Sequence, residues 1–298
     1  MTETQLEANA PAAVEEATEQ EVRQVSERLT VIKPASRRPT VDLRELWVFR
    51  ELAAVFAWRD LKVRYKQTAI GVAWALIQPF VAMVVFTLIF GKFAQFPSQD
   101  LPYPVFLYSA MLPWNYFSSS FTGASGSVSL NAGLVTKVYF PRLLLPFSAI
   151  VAPAVDFVLA SSILFGMMIW FHIPIGPQIV LAPLFMLLAA VTALGAGSLF
   201  AAVNVRYRDV PYVLPFIVQI WFYVSGVVFP IAALDQKWQW VLSLNPMAAV
   251  IGGFRWALVG TPLPPPGQLA VSVASALALF LAGVAFFKSS ESRFADTI

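Results

Sequence analysis

Five long stretches of the chain contain no Asp, Glu, Lys or Arg: Gln67–Gly91, Leu101–Thr136, Phe157–Val205, Val210–Leu234 and Trp256–Phe287. A bilayer hydrocarbon core of about 30 Å is crossed by roughly 20 apolar residues in helical conformation. The pattern therefore predicts an all-α membrane protein with six transmembrane helices, at about Ile70–Phe90, Val105–Thr122, Leu143–Phe171, Ile179–Ala202, Val213–Phe229 and Leu269–Phe287. Phe157–Val205 is long enough for the end of one span, a turn at His172–Pro177 and a whole second span.

Three segments depart from this pattern. In 41–66, Leu46, Trp47, Phe49, Leu52, Val55, Phe56 and Leu61 recur at roughly helical spacing among six Arg and Lys residues. This predicts an N-terminal amphipathic interface helix, lying flat with its bases near lipid headgroups. Residues 231–266 are apolar but broken by Asn245-Pro246, Gly252-Gly253 and Pro262–Pro266. Neither half can span, so a re-entrant helical hairpin is expected at about 231–262, before the last span. Residues 1–40 are Glu- and Ala-rich and then basic, and read as a disordered cytoplasmic tail. The organisation is thus tail 1–40, interface helix 41–66 and transmembrane domain 67–298.

Charge sets the orientation. With both termini in the cytoplasm, 17 of the 20 Lys and Arg residues fall on the cytoplasmic side. Only Lys92, Lys237 and Arg255 fall outside, as the positive-inside rule requires. The net charge of +3 is accounted for by this placement, so it gives no reason to expect a nucleic-acid partner.

Composition removes several chemistries. The chain has no cysteine and one histidine, His172, which excludes disulfides, thiol catalysis and a His-rich metal site. The acidic start carries no signal-peptide pattern. Gly91-Lys92 lacks both the upstream glycine and the following Ser or Thr of a phosphate-binding loop. No catalytic residue, cofactor or metal is expected on this chain; ATP-driven transport would need ATP and Mg on a separate chain.

Four groups of residues remain as candidates. The segment Ser129–Arg142 holds Asn131 or Ser129 as a helix cap and Lys137, Val138, Tyr139, Phe140 and Arg142 near its end. It reads either as a docking knob or as an ordinary connecting loop. Arg59, Lys62, Arg64 and Lys66 sit at the depth of cytoplasmic headgroups, where charge-assisted bonds to phosphate form. Asp156 is the one acid inside a span, and it suits a structural hydrogen-bonded role better than proton coupling. Trp114, Tyr116, Phe117, Trp221, Phe222 and Tyr223 lie where the second and fifth spans could face each other. They read as belt or core rings, or as stacking surfaces for sugar rings.

Several motifs recur in a known order: Arg59–Thr68, then Gly71, Trp74 and Gln78-Pro79; Lys137–Arg142; Asn204–Asp209; Leu244–Met247; and Gly253-Phe254-Arg255. Over about Leu43–Lys288 the chain resembles the membrane subunit of ABC type-2 polysaccharide exporters, the branch that carries O-antigen, teichoic acid and some capsules. The resemblance implies a bacterial inner-membrane homodimer with two copies of a separate cytoplasmic ATPase, moving an undecaprenyl-diphosphate-linked glycan to the outer leaflet. It assigns Ser129–Arg142 as the coupling helix, including Asn131 and Lys137 to Phe140, and 41–66 as the gate helix beside the lipid entrance. The hairpin would close the outer mouth. The alternatives are an ABC permease for a drug or other lipid, and a proton-coupled carrier using Asp156. A membrane glycosyltransferase would need an acidic pair at a membrane face, but Asp60 and Asp209 lie on separate segments.

Overall fold

The computed structural model describes residues 43–66 and 73–294. The tail 1–40 and the start of the first expected span lie outside the described residues. Within them the chain is helical and contains no strand. A short helix, α1 (Leu43–Val48), is separated at Phe49 from α2 (Arg50–Lys66). The first expected span is α3 (Ala73–Phe86), continued to Phe93 by a wider π-helical turn. The second, α4 (Tyr103–Leu130), begins at Pro104 in its first turn and runs two turns past the expected end. One turn of helix, α5 (Ala132–Val135), follows.

The third expected span is two helices, α6 (Leu144–Ala149) and α7 (Val151–Trp170). Pro153 has no N–H to offer the carbonyl of Ala149, and the helix breaks there. A 3-10 turn, Pro177–Leu181, leads into α8 (Ala182–Arg206). The fifth, α9 (Val210–Val224), ends short of the expected Phe229. Gly226 turns the chain out of helix with φ +72°, a region that only glycine adopts at little cost. Helices α10 (Gln236–Ser243) and α11 (Pro246–Val259) meet at 106°, and α12 (Pro266–Ser290) closes the chain.

Four helical stretches are long and apolar enough to cross a membrane: Ala73–Phe93, Leu144–Trp170, Pro177–Arg206 and Pro266–Arg293. The bent pair α10–α11 would make a fifth if counted as one span. Helix α4 is long enough, but polar residues such as Asn115, Ser118, Ser119 and Thr122 dilute it, while α9 has 15 residues. The six-span expectation thus meets six helical stretches, of which two fall short on apolarity or length.

Helix α4 is the hub. Nineteen of its 28 residues are buried, against only Pro79 and Met83 in α3. It packs on α8 through small residues; a Cβ on Gly197 would lie 2.5 Å from that of Ala124. On its other side α8 meets α12 backbone to backbone, since a Cβ on Gly283 would fall 2.0 Å from the carbonyl oxygen of Gly195. Such small-residue contacts are how helices associate where lipid removes the hydrophobic drive. Helix α3 and its π-helical continuation turn Trp74, Phe80, Val81, Val85 and Leu88 outward, an apolar face matched to hydrocarbon.

Candidate functional site

Helix α2 lies against α6 and α7, with Phe56 and Ala57 buried beneath it. Its apolar residues do not form a single face. Val55, Trp58 and Val63 point away from the protein, as does Trp47 of α1. The four candidate bases separate in the same way. Lys62 lies over the outward Trp58 ring at 5.4 Å, and Lys66 is exposed at the helix end. Arg59 bonds Asp60 Oδ1 through Nε and Nη2, at 3.1 and 2.8 Å, and reaches Asn131 Oδ1 through Nη1 at 2.7 Å.

Arg64 alone continues the inward line of Phe56 and Asp60, at i, i+4 and i+8. Its Nη2 lies 2.5 Å from Asp156 Oδ2. Tyr65 donates its hydroxyl to the other oxygen of the same carboxylate. Burial, and then the bond to Asp156, pushes the Tyr65 hydroxyl up to about 12, so it remains a donor at neutral pH. Asp156 thus has partners from a helix more than 90 residues away, which its neighbours Val155 and Phe157 gave no hint of. An ion-paired, hydrogen-bonded carboxylate of this kind is structural in form.

Three hollows meet at Arg64. One of about 470 Å³ runs between α2, α4 and α6–α7 past Arg59 and Asn131. A second, of about 200 Å³, contains Asp156 and Tyr116. The third is an open groove of about 690 Å³ between α3, α4 and α9. Arg64 and Ser119 line all three. The groove wall on α4 is a polar stripe, Asn115, Ser118, Ser119 and Thr122, spaced i, i+3, i+4 and i+7. Facing it on α9 are Pro215, Gln219 and Tyr223 at four-residue steps. The rest of the lining is apolar or aromatic, including Ala82, Phe86, Met111, Trp114, Val218 and Phe222, and Arg64 is its one charged residue among the described residues.

The aromatic candidates divide between the groove and the core. Trp114, Phe222 and Tyr223 border the groove, and Trp114 meets Phe222 edge-on at 5.6 Å. Tyr116 borders the Asp156 hollow instead. Phe117 is fully buried and packs on Trp221 at 4.8 Å, so these two rings stand behind the wall and join α4 to α9. The polar stripe on α4 is legible in the sequence from its i, i+3, i+4, i+7 spacing.

The segment after α4 also divides. Asn131 is the N-cap residue of α5 by position, but its side chain makes no capping bond there; its amide closes the end of α4 on the Ser127 carbonyl at 2.7 Å and accepts from Arg59. Phe140 is buried against the Phe56 ring at 5.6 Å. Arg142 donates through its backbone to Glu291 Oε1 at 3.0 Å and through its guanidinium to the Glu291 carbonyl. The exposed side chains are Ser129, Leu130, Leu134, Thr136, Lys137, Val138 and Tyr139, the apolar ones grouped as Leu130, Leu134, Val138 and Tyr139. Tyr139 reaches Glu45 of α1 at 3.2 Å. This surface is an apolar knob whose roots are tied to α2 and to the end of α12.

At the opposite end, the unwound end of α9 is held by side chains. Asn245 accepts from Trp221 Nε1 at 2.8 Å and donates to the Val224 carbonyl and the Ser225 hydroxyl. Arg255 is buried and donates to the carbonyls of Gly226, Val227 and Phe106, with its guanidinium 3.6 Å above the Phe106 ring. Tyr103 donates to the Val228 carbonyl. Carbonyls orphaned where the helix stops thus find donors, as they must in a buried place. Sequence patterns alone gave Asn245 and Arg255 no role beyond their motifs.

The family model described as ABC-2 type transporter matches residues 51–259, which include α2, the groove, the knob and α10–α11. The O-antigen export system permease protein RfbA of Myxococcus xanthus is 29% identical over 265 residues, covering 86% of this chain and 98% of the relative. A protein of the same name from Klebsiella pneumoniae is 24% identical over 249 residues, covering 83% and 95%. The polysialic acid transport protein KpsM of Escherichia coli is 26% identical over 247 residues, covering 78% and 91%.

Proposed function

Because this chain belongs to the ABC-2 type transporter family, we propose that it is the membrane subunit of an ATP-driven polysaccharide exporter. Two copies work with two copies of a cytoplasmic ATPase, which binds the ATP and Mg, in a bacterial inner membrane. The cargo is a glycan on undecaprenyl diphosphate, with O-antigen the preferred identity, moved from the cytoplasmic to the outer leaflet. Six spans put both termini in the cytoplasm, and α10–α11 is a re-entrant hairpin at the outer mouth. The knob Leu130, Leu134, Val138 and Tyr139 docks on the ATPase.

The observation that carries this reading is the α4–α9 groove. A hydrophilic polymer cannot cross hydrocarbon without a polar surface to follow. The groove supplies that surface along α4 and is open on one side, where a second copy would complete a channel. Its inner end adjoins Arg64 and the hollow beside α2, where a lipid-linked head group would enter. The proton-coupled carrier is the weaker reading, since Asp156 holds an ion pair to Arg64 and a hydrogen bond from Tyr65.

Filling the groove tests the proposal. Ser119→Trp should abolish surface polysaccharide in cells that depend on this permease, with the protein still made and inserted. Val158→Trp, on the lipid-facing side of α7, should export normally. Normal surface polysaccharide with Ser119→Trp would rule out the groove as the glycan path.

A further inference from the structure

Four bases surround the inner end of the path, but their settings differ. Arg59 is committed to Asp60 on its own helix and to Asn131. Lys62 faces outward over Trp58, and Lys66 ends the helix. Arg64 is the one that bridges α2 to a transmembrane helix, and the one that borders all three hollows. Its side chain is 42% exposed, while Asp156 opposite is 19% exposed. One edge of the guanidinium is therefore held by the carboxylate, and other N–H groups stay within reach of the hollows.

A guanidinium presents five donors in a planar fork matched to the oxygens of an anion. A carboxylate brings one negative charge. A diphosphate brings more charge and more oxygens, so it is the stronger partner for the same fork. Asp156 would not be stranded by losing Arg64, because Tyr65 already donates to its other oxygen. A part-buried pair of this kind is weakly held, since screening and side-chain entropy offset most of its attraction.

We propose that Arg64 is the receptor for a phosphate group on the cargo, and that Asp156 is its resident counter-ion, displaced when the phosphate arrives. The exchange also removes the ion pair that joins α2 to α7, leaving the Tyr65 hydroxyl as the polar tie between the two helices. With the site empty, the carboxylate keeps Arg64 neutralised and the helix in place. This deepens the exporter reading and rests on it only for what carries the phosphate.

The test uses the purified full-length chain in phosphatidylcholine nanodiscs, titrated with inorganic pyrophosphate by calorimetry. Asp156→Asn removes the competitor and should tighten pyrophosphate binding about two- to five-fold, the range set by an ion pair of this exposure. Asp156→Glu keeps the competitor and should bind as wild type. Arg64→Gln should abolish binding, and adding Asp156→Asn to it should restore nothing. Thermal unfolding of each variant reports folding; if Arg64→Gln does not fold, Arg64→Lys replaces it, with weaker binding expected from loss of the fork. Equal or weaker binding by Asp156→Asn, or undiminished binding by Arg64→Gln and Arg64→Lys, overturns the proposal. Repeating the titration with phosphatidylglycerol in the nanodisc separates the sources of phosphate. Unchanged affinity is expected, whereas a fall with phosphatidylglycerol content would make Arg64 a lipid-headgroup anchor and overturn the cargo assignment. Failure of this exchange leaves the Ser119→Trp export result untouched, so the two readings fail separately.

Discussion

Arg255 carries a positive charge in a buried place, stacked on one ring and bonded to three carbonyl oxygens. Those oxygens belong to α4 and to the turn after α9, so one side chain joins two parts of the chain 149 and 28 residues away. Arg255→Met should destabilise the fold by roughly 3 kcal/mol, because the Gly226 and Val227 carbonyls lose this donor and a buried carbonyl left bare costs about 1–3 kcal/mol. Arg255→Lys should recover little, since a single ammonium cannot reach both parts with a fork's geometry. Thermal unfolding in one detergent compares the three proteins, and a lysine variant as stable as wild type would show that charge alone suffices. In sequence this arginine is a lone base in an outer segment. Its partners are backbone atoms, which carry no residue-type signal, so only coordinates reveal it.

At the scale of elements, α2 and the segment 129–142 act together. Phe140 roots the segment on Phe56, while Val138 and Tyr139, 54% and 61% exposed, form its outer surface. Val138→Ala with Tyr139→Ala should change stability by less than about 0.5 kcal/mol and lower the export rate by weakening ATPase docking. Phe140→Ala should instead cost about 3–5 kcal/mol through the lost ring and its cavity. Unfolding midpoints, together with co-purification of the ATPase, separate the two effects. A docked, fully active double variant would remove the knob from the coupling surface. The helical spacing of α2 was legible, but its facing was not. In a membrane protein an apolar side chain has two congenial solvents, protein and lipid, so Phe56 and Trp58 look alike in sequence yet point to opposite sides.

The whole molecule is arranged by where charge can sit. Single cysteines are easily introduced, because the chain has none. Labels within 95–99 and 173–178 should react with a membrane-impermeant reagent from the outside, and labels at Lys137 only after the membrane is opened. Labelling of either outer loop solely from the cytoplasmic side would break the six-span arrangement. The long uncharged stretches and the placement of 17 of 20 bases were enough to indicate the helices, their order and the expected sidedness. The hydrocarbon slab imposes length and charge rules that act residue by residue, without knowledge of neighbours. The partner of Asp156, the facing of α2 and the division of the aromatic rings between groove and core were decided only by tertiary packing. Each depends on which residues from distant helices compete for the same space or donor, and a one-dimensional pattern of polarity does not contain that information.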